Sequence, residues 1–289
     1  MNELLSLIGN TPLIRLNEIE KVLNCKSRLY AKLEYMNPFG SIKDRVALQI
    51  INDAENNGIL KKGGTIIEAT SGNLGIALAA ISAVKGYRCI IFAPSNIHEK
   101  RLALIQAYGA EVMLTDEKEG IGGSITDAIK LSQENPDSFY CNQFSNPSSI
   151  NTHYNSTACE IDKQMKEEAD IIICGVGSGG TFMGLTKYFH GKRTKIYGVL
   201  PSTYPHKITG IGAGFIPSIV DNNLLKSNTI LIDDETIEKY QRFILNTEGL
   251  LIGHSSAATL SALVKISENS ALIGKNVVLI FADSGERYI

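Results

Sequence analysis

Apolar runs of strand length alternate with stretches of helical period along the whole chain. Residues 65–68, 88–93, 111–115, 170–174, 195–200 and 276–281 read as strands. Between them lie amphipathic stretches. In residues 44–57, Val46, Ala47, Ile50, Ile51 and Ala54 recur on one helical face, and Gly58 suits the position just past a helix end. Strands alternating with helices through short connections imply crossover units and mostly parallel sheets. The expectation is an α/β protein of two domains, each a twisted, mostly parallel sheet flanked by helices. The Asn146–Ser149 stretch, with its proline, is the best boundary. It gives an N-terminal domain over residues 1–145, whose first strand region crosses to the other domain, and a C-terminal domain over 146–289. There is no repeat and no low-complexity linker.

At 289 residues, 44% hydrophobic and 20% charged, the chain has ample material for buried cores. Lysine and arginine number 28 against 30 acids, for a formal charge of −2. That balance lacks the basic excess expected of a nucleic-acid binder. No apolar run is long enough for a membrane span, and the first residues lack a signal-peptide pattern, so a cytoplasmic protein is expected. Five cysteines without CxxC spacing indicate neither a disulfide framework nor a zinc site, and the five histidines show no metal-ligand spacing.

Three segments carry candidate chemistry. Glu68 through Gly75 (EATSGNLG) joins a strand to an apolar helix. Hydroxyls of Thr70 and Ser71, the amide of Asn73 and first-turn N–H groups there suit a carboxylate or phosphate. An ordinary Ser/Asn cap with a turn glycine fits the same letters. Gly175 through Thr181 (GVGSGGT) places four glycines in six residues after a second strand. Such a loop costs chain entropy, which close backbone approach to a phosphate would justify. The spacing also satisfies GxGxxG, but a dinucleotide site wants an acid at the end of the next strand. Leu200 and Pro201 stand there instead, which favours a single phosphate over an NAD-dependent dehydrogenase. The third segment is Asn37 through Arg45 (NPFGSIKDR), with Ser41 as a helix cap and Lys43 in the first turn. The helix dipole there disfavours a cation and eases loss of its proton, as a Schiff-base lysine requires.

These segments, in order with Asn10–Leu13, Gln143-Phe144 and Asn146-Pro147, residues 206–217 (HKITGIGAGFIP), 248–251 and 284–288, resemble the cysteine synthase (O-acetylserine sulfhydrylase) family of fold-type II pyridoxal-phosphate enzymes. The resemblance implies pyridoxal 5′-phosphate bound covalently by Lys43, which then acts as acid and base. It implies Asn73 at the ring hydroxyl, Gly177, Ser178, Gly179, Gly180 and Thr181 at the phosphate, and Ser255 at the pyridine nitrogen. Thr70, Ser71 and Gln143 would hold the substrate carboxylate, and Gly210 would line the mouth of the site. The implied reaction is β-replacement on a serine-type amino acid through an aminoacrylate: L-cysteine from O-acetylserine and sulfide. A homodimer and a serine acetyltransferase C-terminal tail are the implied protein partners.

Several positions depart from the family pattern. Leu74 and Ser149 replace a usual threonine and asparagine, and His254 and Ala257 replace a usual isoleucine and glycine. The stretch from Pro201 to His206 is short, and the sequence ends at Ile289, soon after Ser284–Tyr288, without the C-terminal helix expected from the family. These departures, with the acidic pair Asp233-Asp234, motivate a second reading in which cysteine enters, sulfide leaves, and water or a thiol adds, giving serine or a lanthionine-type product. A diaminopropionate-type synthase and a non-catalytic relative that binds a partner's tail are further alternatives. For Asp233 and Asp234, capping the helix that begins at Glu235 is set against a role at the site. His254 is expected to pack.

Overall fold

Successive strand residues point to opposite faces, and the central strands of this protein are apolar on both. The computed structural model describes residues 2–267 and 272–289. The chain forms two compact units, one of the residues up to Ile8 with Lys43–Ser149, the other of Gly9–Ile42 with Ile150–Ile289.

In chain order the strands are β1 (Leu13–Arg15), β2 (Arg28–Leu33), β3 (Thr65–Ala69), β4 (Arg88–Pro94), β5 (Glu111–Thr115), β6 (Ser138–Tyr140), β7 (Ile171–Gly175), β8 (Lys195–Pro201), β9 (Thr229–Ile232) and β10 (Asn276–Phe281). The first unit holds a four-stranded sheet of order β5-β4-β3-β6, parallel throughout. The second holds a six-stranded sheet of order β1-β2-β10-β7-β8-β9, parallel except for the antiparallel β1–β2 pair.

The six-stranded sheet separates two cores. Ile171 and Ile173 of β7, with Val277, Leu279 and Phe281 of β10, face a cluster closed by the helices Glu235–Glu248 and His254–Ser267. Ile172, Cys174, Val278 and Ile280 face the other side, where Phe182 and Leu185 of the helix Gly180–Tyr188 and Ile161 of the helix Ala158–Gln164 pack. In the first unit, Ile67, Ala69, Ile90 and Phe92 pack with Ala128 of the helix Gly120–Glu134. The helix Asn73–Lys85 is buried from Leu74 to Ser82 and ends on Gly86 at φ 76°, whose N–H bonds to the Ser82 carbonyl. That is the left-handed cap a glycine supplies.

All six strands expected from apolar runs are present. Four others escaped the pattern. β1 and β6 are three residues each, too short for a periodic signal, and β9 has four. The run of β2 is broken by Lys32, yet Lys32 is fully buried. Its Nζ donates to the Thr11 carbonyl at 2.6 Å, to Glu160 Oε2 at 2.6 Å and to Gln164 Oε1 at 2.9 Å. Among the described residues no helix is long and apolar enough to cross a membrane.

Breaking the Lys32–Glu160 pair from one side leaves an ammonium stranded in the interior. Glu160→Ala should therefore lower the stability of the second unit by about 3–5 kcal/mol, measured by denaturant unfolding.

Candidate active site

In the first unit, β3 runs into the Thr70–Gly72 turn, and the helix Asn73–Lys85 follows at once. Thr70 N–H bonds to the Phe92 carbonyl at 2.9 Å and its Oγ1 accepts the Gly72 N–H at 3.2 Å. Gly72 is the N-cap residue, and no side chain caps the helix. The Ser/Asn capping alternative is therefore not realised. A glycine N-cap leaves space beside the first-turn N–H groups, which is what an anion site needs.

Gln143, buried, lies just past β6. Its N–H donates to Glu68 Oε2 at 3.1 Å, and the other Glu68 oxygen accepts the Ala69 N–H at 2.7 Å. Lys43 opens the helix Lys43–Asn56, as expected, and is half-buried. Burial lowers its amine from 10.5 to about 8, against the opposing pull of Glu68. Burial likewise pushes the Glu68 carboxyl up to about 8, with the two N–H bonds and Lys43 acting the other way. Lys43, Thr70, Ser71, Asn73 and Gln143 all belong to this unit.

In the second unit, β7 leads through Gly175–Gly179 into the helix Gly180–Tyr188. A Cβ on Gly177 would stand 2.5 Å from the Gly210 carbonyl oxygen, and Gly179 sits at φ 88° with Val220 where its Cβ would be. Glycine is required at both. Gly179 is the N-cap residue and again no side chain caps the helix. Ser178 is buried, and Thr181 Oγ1 lies 3.2 Å from His153 Nε2. His153 is itself buried and bonded through Nδ1 to Thr157 Oγ1 at 2.9 Å, inside the π-helical turn His153–Thr157. Sequence reasoning missed His153. Its only local signal was a histidine close to the Asn146-Pro147 motif.

Ser255, buried, is the second residue of the helix His254–Ser267, and a Cβ on Gly210 would approach its Oγ to 3.7 Å. The 206–212 loop is pinned at several points. His206 Nε2 lies 2.8 Å from the Gly212 carbonyl, and the Gly212 N–H donates to the Val176 carbonyl at 2.9 Å. Thr209 Oγ1 lies 2.9 Å from His254 Nδ1, whose ring packs on Tyr288 at 4.4 Å between centroids. His254 thus packs and also holds the loop.

The acidic pair belongs to the same anchoring. Asp234 Oδ2 accepts the Lys207 N–H at 2.6 Å, and Asp233 accepts the Ser202 hydroxyl. Asp234 occupies the N-cap position of Glu235–Glu248 but makes no side-chain capping bond. The capping expectation is corrected on this point: both carboxylates turn to the preceding loop, and main-chain carbonyls serve the helix start, Asp233 accepting from Thr236 N at 3.2 Å and Oγ1 at 2.8 Å and Asp234 from Ile237 N at 3.1 Å. No cluster of His, Cys, Asp and Glu among the described residues is placed to hold a metal.

A lysine amine eased toward neutrality and a glycine cradle at a helix N-terminus are the features of enzymes that carry an aldehyde cofactor with a phosphate handle. The chemistry of these residues fits pyridoxal 5′-phosphate: a lysine amine for the aldehyde, and for the phosphate a glycine-rich turn that leads into a helix N-terminus. The pyridoxal-phosphate dependent enzyme family matches residues 4–283, and the chain belongs to that family. It is 37% identical to cysteine synthase A of Escherichia coli K12 over 302 aligned positions, 98% of this chain and 92% of that protein. Among solved structures, a hydrogen sulfide-producing enzyme of Fusobacterium nucleatum superposes with a TM-score of 0.93 at 38% identity, covering all of both chains. The cysteine synthase of Entamoeba histolytica superposes at 0.92 and 38% identity, covering 100% of this chain and 89% of that one. The protein is a pyridoxal-phosphate enzyme of the β-replacement and β-elimination class, acting on small amino acids.

Two outcomes follow from this geometry. Gly177→Ala drives its Cβ into the Gly210 backbone, a displacement costing about 1–3 kcal/mol. It should weaken cofactor retention about tenfold or more, read by equilibrium dialysis. In cofactor-free protein, acylation of Lys43 should rise with pH through about 8, because only the neutral amine reacts; an ordinary lysine, near 10.5, would lag by more than two pH units. Site-resolved mass spectrometry measures this.

Proposed function

We propose that this enzyme exchanges the β-substituent of a serine-type amino acid, with O-acetyl-L-serine and sulfide giving L-cysteine. The observation that carries the reading is Lys43, an amine brought to about 8 in the same unit as the Thr70–Gln143 anion segment. Lys43 would hold the cofactor covalently. Gly177, Ser178, Gly179, Gly180 and Thr181 would hold its phosphate through N–H groups and hydroxyls, Asn73 its ring hydroxyl, and Ser255 its pyridine nitrogen. When bound, the cofactor supplies an electron sink for the charge left at Cα as the α-proton departs. Thr70, Ser71 and Gln143 would bind and orient the substrate carboxylate. The freed Lys43 amine, neutral near pH 8, takes the α-proton and returns a proton at product formation. Ser255, a neutral hydroxyl, does not hold the ring nitrogen protonated, which suits departure of the β-group over transamination. Gly210 lines the mouth of the site, and Asp233 and Asp234 act on it by anchoring its loop.

A second reading has a specific support. The hydrogen sulfide-producing Fusobacterium enzyme matches this chain over the full length of both. In that reading L-cysteine enters and sulfide leaves. A homodimer, a cytoplasmic location and docking of a serine acetyltransferase tail remain parts of the proposal that rest on the family resemblance.

The visible spectrum of the loaded enzyme separates the two directions. Under the biosynthetic reading O-acetylserine shifts the cofactor band and L-cysteine alone does not. A shift driven by L-cysteine, with sulfide appearing in solution, establishes the reverse traffic. Lys43→Ala should abolish both the lysine-linked band and turnover; retained turnover would falsify the assignment of Lys43.

A further inference from the structure

Behind the glycine cradle a buried histidine ring joins two hydroxyls, and only one of them belongs to the cradle. His153 Nδ1 lies 2.9 Å from Thr157 Oγ1, and Nε2 lies 3.2 Å from Thr181 Oγ1. A close approach of two segments lets the ring reach Thr181. Gly184 follows Thr181 by one turn, on the same face of the helix Gly180–Tyr188. A Cβ there would stand 2.7 Å from both the His153 Cβ and the Ile150 carbonyl oxygen, so the absent side chain is what allows the contact. The contact falls in the π-helical turn His153–Thr157, an irregularity that often marks a functional position. All of these residues belong to the second unit.

The hydrogen bonds fix which ring nitrogen carries the proton. Thr157 is fully buried, and among the described residues the His153 ring is the only hydrogen-bond partner of its hydroxyl. A buried hydroxyl proton without an acceptor is costly, so Thr157 donates to Nδ1. A neutral imidazole that accepts at one nitrogen is protonated at the other. A proton on Nδ1, whether in the other tautomer or in the imidazolium, would strand the Thr157 proton. Nε2–H therefore donates to Thr181 Oγ1. The Thr181 hydroxyl then keeps its own proton to give, and among the described residues it has no second partner.

We propose that His153 is a positioning residue: held by Thr157, it sets the Thr181 hydroxyl as a donor toward the cofactor phosphate. The relay runs from the Thr157 hydroxyl through the imidazole to the Thr181 hydroxyl, and no covalent bond changes. The inference rests on the reading of the phosphate cradle given above. It deepens that reading by making a side chain behind the cradle a determinant of phosphate affinity.

The test measures the Kd of pyridoxal 5′-phosphate by equilibrium dialysis for the wild-type enzyme, His153→Phe, Thr181→Val and the double variant. Thr181→Val should raise the Kd about tenfold, the scale of one hydrogen bond to a charged group. His153→Phe keeps a ring and removes both nitrogens; the Thr181 hydroxyl stays but loses its orientation, and the Kd should rise about threefold. The double variant should be no worse than Thr181→Val alone, because His153 acts through that hydroxyl. Pyridoxal, which lacks the phosphate, should bind all four proteins with the same Kd. Additive losses, or an equal loss for pyridoxal, are what a merely structural histidine gives, and either overturns the proposal. An unchanged Kd in His153→Phe overturns it as well. An unchanged Kd in Thr181→Val instead removes the cradle reading itself, and the proposal with it. If His153→Phe does not fold, the wild-type holoenzyme decides. In 15N-histidine NMR, with the His153 ring assigned through its contacts to the Thr157 and Thr181 methyl groups, Nε2 should be protonated and Nδ1 bare. A proton on Nδ1 overturns the proposal.

Discussion

Two helices in this protein begin on glycine where a capping side chain would ordinarily stand. Each α-helix starts with four N–H groups that have no partner within the helix. Asn73–Lys85 follows Gly72 and Gly180–Tyr188 follows Gly179, and at neither does a side chain cap the first turn. Serine or aspartate there would add only about a few tenths of a kcal/mol over glycine. Glycine therefore costs little at these two starts and leaves room for an anion at the first-turn N–H groups. The rest of the design follows from this constraint. Each helix is launched from the C-terminal end of a parallel strand, and each strand is buried enough to hold the launch point still.

The alternation of apolar runs with amphipathic stretches made the α/β class legible, because residues such as Ile172 and Ile173 are buried on opposite faces and so leave an unbroken run. What stayed hidden depended on long-range partners. Lys32 interrupts β2 on paper, and Glu160, 128 residues away, makes its burial tolerable together with Thr11 and Gln164. Glu68 was visible merely as the acid preceding EATSGN's small residues; its meaning comes from Gln143, 75 residues on. Asp233 and Asp234 sat where capping residues sit, and their loop partners Ser202 and Lys207 have no periodic signature. The glycine loop was readable from its composition, whereas the Gly177–Gly210 contact that makes glycine obligatory there was not. Lys43 was singled out by its place in an ordered series of motifs, since a lone first-turn lysine has no distinguishing mark.

The loop at residues 206–212 shows how departures from a family pattern can be absorbed without disturbing a site. The connection before it is short, which removes chain that could have packed against neighbouring segments. His254, where an isoleucine is usual, reaches Thr209, and the pair Asp233-Asp234 holds Ser202 and Lys207. Three polar contacts thus restrain a segment whose Gly210 carbonyl abuts Gly177. A shorter loop has less entropy to lose on ordering, and each polar anchor needs to contribute only about 1 kcal/mol to keep it in place.

The same reasoning separates two lysine–glutamate pairs among the described residues, Lys32 with Glu160 and Lys43 with Glu68. Lys32 and Glu160 sit beside fixed acceptors and a main-chain N–H, and nothing in the proposed chemistry alters the charge of either. Such a pair can remain ionised throughout. Lys43 and Glu68 differ in kind: the Glu68 oxygens are held by the Ala69 and Gln143 N–H groups, and burial brings the Lys43 amine toward neutrality. One lysine is thus matched to a carboxylate beside it, and the other is eased toward its neutral form.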